Sequence, residues 1–171
     1  MKRFHGGNGE GSSLNRNYEL APLLEEAKNV FGLDPAWTKH GPNHWLQVEK
    51  NAIMLGEHTL GCDMEVARRF AILHDCRRQN EGSDPEHGAR AAKFAQELHD
   101  RGVLGLNPGQ LAILKYAMTH HNGGQVSGDP TIGVCWDADR LDLPRVGTNP
   151  NAALLSTPYA KELLRFNDKI G

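Results

Sequence analysis

The sequence holds only three cysteines among its 171 residues, an odd number with no CxxC spacing. That excludes a disulfide framework and a cysteine-rich zinc site, and it predicts a chain kept in a reducing cytoplasm. No apolar run approaches the ~18 residues that a membrane span needs, and the opening MKRFHGGNGEGSS lacks the apolar centre of an export signal. Charge of one sign is scarce too. Lys and Arg number 19 against 21 Asp and Glu, for a formal net charge of -2, so a general attraction to nucleic-acid polymers or anionic membranes is not expected. Alternating runs of β-branched residues and internal repeats are also missing, which excludes a sheet-based or repeat architecture.

What is present is a series of helical patterns punctuated by clear start and stop signals. Residues 1–17 are rich in Gly, Ser and Asn and are expected to be a flexible leader, with a single domain over 18–171. Tyr18 to Phe31 carries Leu20, Leu23, Leu24, Ala27 and Val30 at helical spacing. Asn43 is placed to cap a second helix through Leu55, with His44, Val48, Ala52 and Leu55 on one face. Asp63 is placed to cap a third, reaching about Arg78. Asp84-Pro85, Asn107-Pro108 and Asp129-Pro130 each pair a capping residue with proline at the first helical position. Thr157-Pro158 opens a last helix expected to dock through Leu163, Leu164 and Phe166. Six to seven helices make an all-α bundle.

The third helix is where chemistry first shows. Its VARRFAILHDCRR stretch puts His74 and Asp75 side by side at the end of the apolar face formed by Val66, Phe70 and Leu73. An imidazole and a carboxylate delivered together toward a core need an electropositive partner, because burying an unpaired carboxylate costs several kcal/mol. A divalent metal supplies one. The plainer alternative is a helix end with His74 stacked in the core and Asp75 in water, and the dipeptide alone leaves both open. His44, in the first turn of an inward face, is either a core residue or a ligand, and His40 in the preceding loop is a weaker candidate. His120 and His121 end a helix before a Gly-rich loop, where they either complement the macrodipole or border a site. On the next helix Asp139 shares a face with Ile132, Trp136 and Leu143, and Asp137 lies on the far side.

Taken in order the inward polar residues are His44, then His74-Asp75, then His120-His121, then Asp139, each group on its own helix. This resembles the HD-domain metal-dependent phosphohydrolase superfamily, whose pattern is H, HD and D contributed by separate helices of an all-α bundle. The resemblance covers roughly residues 38–146. It implies that His44, His74, Asp75 and Asp139 hold a divalent transition metal. Mixed imidazole and carboxylate ligands suit Mn, Fe, Co, Ni or Zn. It also implies a possible second ion at His120 or His121, as in two-metal relatives. Those relatives place a histidine four residues before the glycine of the following helix; here Asp84 stands there and His87 directly precedes Gly88, so either is a substitute.

The activity the resemblance implies is hydrolysis of a small phosphorylated metabolite, a nucleotide in the first instance, by metal-activated water. Asp75 would bridge or orient, and His120 would hold the second ion or the substrate. Arg77, Arg78, Arg140 and Arg145, with His121, are expected to meet the phosphate, and Glu81 and His87 are candidate proton donors. The competing expectations are an HD-type di-iron oxygenase and a non-catalytic metal-binding module.

Overall fold

The computed structural model describes residues 20–167; the expected leader, and the first helix's expected start at Tyr18, lie outside them. The described residues form seven α-helices and no strands: α1 (Ala21–Val30), α2 (Pro42–Glu57), α3 (Met64–Leu73), α4 (His87–Asp100), α5 (Pro108–His120), α6 (Pro130–Arg140) and α7 (Pro158–Asn167). Short 3-10 turns follow α5 and α6 and precede α7.

Helix α3 is the centre of the bundle, packed against α1, α2, α5 and α6, while α4 pairs with α5. Its burial explains its composition. Val66, Ala67, Phe70, Ala71 and Leu73 are fully buried, so the apolar surface runs most of the way round the helix rather than along one stripe. Each large side chain buried this way contributes roughly 1.5–3 kcal/mol.

Three helix starts follow the capping residues. The Asp63 carboxylate accepts from the N–H groups of Glu65 and Val66, and Asp129 accepts from Thr131 and Ile132. Asn107 forms a reciprocal capping box with Gln110. Two starts differ from expectation. Helix α2 begins at Pro42 behind Gly41, so Asn43 sits inside the first turn, because proline fits the first helical position and needs no N–H there. Helix α4 begins at His87, because the Asp84 carboxylate is held elsewhere: it accepts from Gln79 N–H and from the Arg90 guanidinium.

Helix α3 also ends earlier than its pattern suggests. His74 N–H still bonds to the Phe70 carbonyl, but Cys76 N–H reaches Leu73 and Arg78 N–H reaches Asp75, the three-residue pattern of a tightened turn. The His-Asp pair therefore sits at the break and not inside a helix.

Two further contacts position the site. A Cβ on Gly88 would collide with the Met118 carbonyl oxygen, so only glycine lets the start of α4 approach the end of α5 this closely. Asp137, on the far side of α6 from Asp139, is fully buried; it accepts from the N–H groups of Ser156 and Thr157 and from the Thr157 hydroxyl, fixing the start of α7. Helix α7 then docks through Leu163 and Leu164, whereas Phe166, two residues beyond Leu164 and so on another face, is 56% exposed.

Candidate metal centre

His44 enters from the first turn of α2, His74 and Asp75 from the end of α3, and Asp139 from the last turn of α6. The Nε2 atoms of His44 and His74 lie 3.1 Å apart. Asp139 Oδ1 lies 3.2 Å from the first and 3.6 Å from the second. Asp75 Oδ2 is 3.8 Å from both. A second group adjoins the first. His87, opening α4, and His121, just past α5, have their Nε2 atoms 2.8 Å apart, and Asp75 Oδ1 lies 3.0 Å and 3.6 Å from them. Asp75 thus offers one oxygen to each group.

The orientation of the four rings is fixed from behind. His74 Nδ1 donates to the Ala71 carbonyl at 3.1 Å, His87 Nδ1 to Asp84 at 2.5 Å and His121 Nδ1 to Met118 at 2.7 Å. A carbonyl can only accept, so these three rings carry a proton on Nδ1 and, when neutral, turn a lone pair inward from Nε2. His44 Nδ1 is held instead by Asp142 Oδ2 at 2.7 Å. Nitrogen lone pairs facing each other and a carboxylate at about 3 Å repel unless a cation lies among them. Donors about 2.1 Å from one ion are spaced roughly 3 Å from each other, which is the spacing found. Asp75 Oδ1 is buried without a hydrogen-bond donor, as an atom reserved for a cation would be. The donor set therefore fits one divalent ion, and the second group fits another.

The ionisation of the carboxylates agrees. Burial pushes the Asp75 carboxyl up, but the charge of His74 and the imidazoles of His121, His40 and His87 around it outweigh burial and hold the group well below its ordinary range. Asp139 is depressed in the same way, burial being outweighed by His44 and His74. Burial lowers the His44 imidazole, yet Asp139 and Asp142 leave it raised.

A cavity of about 320 Å³ opens on this centre, lined among others by Asp75, His87, His121, Asp139, Arg78, Arg140 and Arg145. Several residues singled out from sequence are placed otherwise than expected. His120, still within α5, turns its ring toward Tyr116 at 4.5 Å and joins neither group, because the helix breaks between it and His121. Arg77 lies over the Phe94 ring at 5.9 Å and reaches the Val30 carbonyl, on the other side of the turn from Arg78. Glu81 is exposed and accepts from Lys39 N–H. Asp84 is paired with Arg90, and His87 has both ring nitrogens engaged, which takes the first out of the ligand set and the second out of proton transfer.

Two further residues enter: His40, a weaker candidate from sequence, and Asp142, which sequence reasoning passed over. His40, in the loop before α2, donates from Nδ1 to Asp75 Oδ2 at 3.0 Å. Its loop is fixed by Trp45, whose indole N–H donates to the His40 carbonyl. Asp142, behind His44, stands three residues after Asp139 and so on a neighbouring stretch of the same face, a spacing that was there to be read.

No protein-family profile matches the chain, and no curated protein sequence matches it. Among solved structures it is similar to a predicted HD superfamily hydrolase from an uncultured Thermotogales bacterium, with a TM-score of 0.65 and 25% identity over 93% of this chain and 99% of that one. The chain resembles the HD superfamily. Its H, HD and D residues are the ones drawn together at the first group, and its all-α bundle is that of the HD neighbour. No helix among the described residues is long and apolar enough to cross a membrane.

Proposed function

We propose that the chain is a metal-dependent hydrolase, and that its substrate is a small phosphorylated metabolite, a nucleotide in the first instance. The observation that carries the reading is the pair of histidine groups joined by the two oxygens of Asp75, beside a cavity edged with arginine. The HD hydrolase neighbour supports it at the level of hydrolysis.

His44, His74, Asp75 and Asp139 would hold one divalent ion of the Mn, Fe, Co, Ni or Zn class, and Asp75, His87 and His121 a second. When bound, such ions acidify water and neutralise phosphoryl oxygens. The chain does the rest. Asp142 and the backbone carbonyls of α3, α5 and the 84–87 turn hold each imidazole in the tautomer that presents Nε2. His40 holds Asp75 Oδ2 in place from the cavity side. Arg78, Arg140 and Arg145 supply positive charge to the same space, which suits a phosphate group and not an apolar or cationic ligand. The modest cavity and the net charge of -2 favour small substrates over polymers.

A phosphate-release screen over nucleotides and sugar phosphates, with Mn, Fe, Co, Ni and Zn supplied in turn, tests this. Turnover with at least one metal is expected. Oxygen uptake by iron-loaded protein, with no phosphate released from any of them, would replace the hydrolase by an oxygenase.

A further inference from the structure

Among the described residues two buried side-chain atoms lack a hydrogen-bond partner, Asp75 Oδ1 and Arg140 Nη2. Both residues line the same cavity, and their charges are opposite. The ion centre accounts for the first. It does not account for the second: a guanidinium nitrogen closed off from water needs an acceptor as much as the carboxylate needs a cation.

Arg140 follows the ligand residue Asp139 on α6 and is only 8% exposed. Its guanidinium lies 5.6 Å from the Trp136 ring, and its Nη1 donates to the Leu154 carbonyl. The carboxylate of Asp137, three residues back on α6, is taken by Ser156 and Thr157. One prong of the fork is thus fixed and the other is free. The other two arginines of the cavity are tied differently: Arg78 donates to the carbonyls of Asn80 and Gly82, and Arg145 to those of Lys39 and Asp142.

We propose that Arg140 is the residue that reads the ligand's oxyanion, with Nη2 donating to a phosphoryl oxygen while Nη1 keeps the Leu154 segment in place. The assignment rests on the reading of this cavity as a phosphoester site and narrows its anion contact to one arginine. Nη2 is closed off from water in a residue that lines the cavity beside Asn151 and Leu154, so an anion that meets it displaces part of this lining. At about 320 Å³ the cavity lies near the small end of the roughly 300–1,000 Å³ range of ligand pockets. With Leu143 and Leu154 as apolar walls it suits a phosphate monoester with a compact organic part, and not a cyclic dinucleotide.

Titration calorimetry of inorganic phosphate into metal-loaded wild type, Arg140→Gln and Arg78→Gln tests the assignment. Arg140→Gln is expected to weaken binding by at least about tenfold and Arg78→Gln by under about threefold, at unchanged metal content. No phosphate binding by wild type, or equal losses in the two variants, overturns it. Arg140→Gln also removes the bond to Leu154, so a wild-type crystal soaked with tungstate gives a reading that needs no variant. An oxyanion within about 3 Å of Nη2 supports the proposal, and one seated elsewhere in the cavity overturns it. Arg140-dependent phosphate binding in a protein that cleaves no phosphoester would keep this assignment and remove the hydrolase. Turnover with kcat/KM unaltered in Arg140→Gln would do the reverse.

Discussion

The Nε2 atoms of His87 and His121 face each other at 2.8 Å, with each Nδ1 held on a backbone carbonyl of its own neighbourhood. Two such nitrogens would be reconciled by a shared cation. His121→Ala is expected to remove one ion per chain at saturating metal, and His120→Ala, whose ring lies against Tyr116, to remove none. Elemental analysis of both variants decides it; an ion lost from His120→Ala and kept in His121→Ala would reverse the assignment.

Gly88 is what lets those two histidines meet. Gly88→Ala forces α4 away from the Met118 carbonyl, and overpacking of this kind costs ~1–3 kcal/mol. The urea midpoint should fall accordingly, and the second ion should bind more weakly than the first. A variant as stable as wild type with both ions in place would show that the approach of the helices is not set here.

On α6 the buried Asp137 and the partly exposed Asp139 separate by role. Asp137→Ala leaves Ser156 and Thr157 N–H groups unpaired and is expected to destabilise by ~2–4 kcal/mol while retaining metal. Asp139→Ala is expected to lose the first ion. Asp142→Asn, behind His44, should keep it with ~10–100-fold lower affinity. Metal titration alongside thermal unfolding of the three variants reads all of this, and metal loss in Asp137→Ala alone would contradict it.

Much of this site was open to reading in the sequence, and the limits were geometric. His44, His74 and Asp139 continue the apolar faces of their helices, so periodicity turned each of them inward, while Asp75, at the break after α3, and the grouping of the four came from the resemblance to the HD superfamily. His121 and His120 did not separate that way, because which one faces inward depends on the residue at which α5 gives way to a 3-10 turn. The same applies to Arg77 and Arg78, which leave the tightened turn after α3 in different directions. His40 lies on a loop, where no period tells which way a ring points. Asp84 looked like a helix cap and is instead the acceptor that closes the 79–84 loop.

That last residue carries a pH signature. Burial raises the Asp84 carboxyl, and the Arg90 guanidinium with the Gln79 N–H outweighs it and leaves the group below its ordinary value. A folded pKa below the unfolded one adds stability above about pH 4 and loses it as pH falls through the folded value. Asp84→Asn should therefore be ~1–3 kcal/mol less stable than wild type at pH 7, and the gap should close on acidification below about pH 4. Urea unfolding from pH 7 to pH 3 is the measurement; a gap that stays constant would place the effect outside this ion pair.

The central claim is that the histidine and aspartate groups around Asp75 hold the metal on which phosphoester hydrolysis depends. Its most direct test is phosphate release by chelator-stripped wild-type protein as metal is restored in measured equivalents. Release should be absent from stripped protein, rise with bound metal up to two equivalents per chain, and stay absent in Asp75→Ala. Equal release from stripped and restored protein, or none from wild type with its ions bound across the phosphoester panel, would contradict the account.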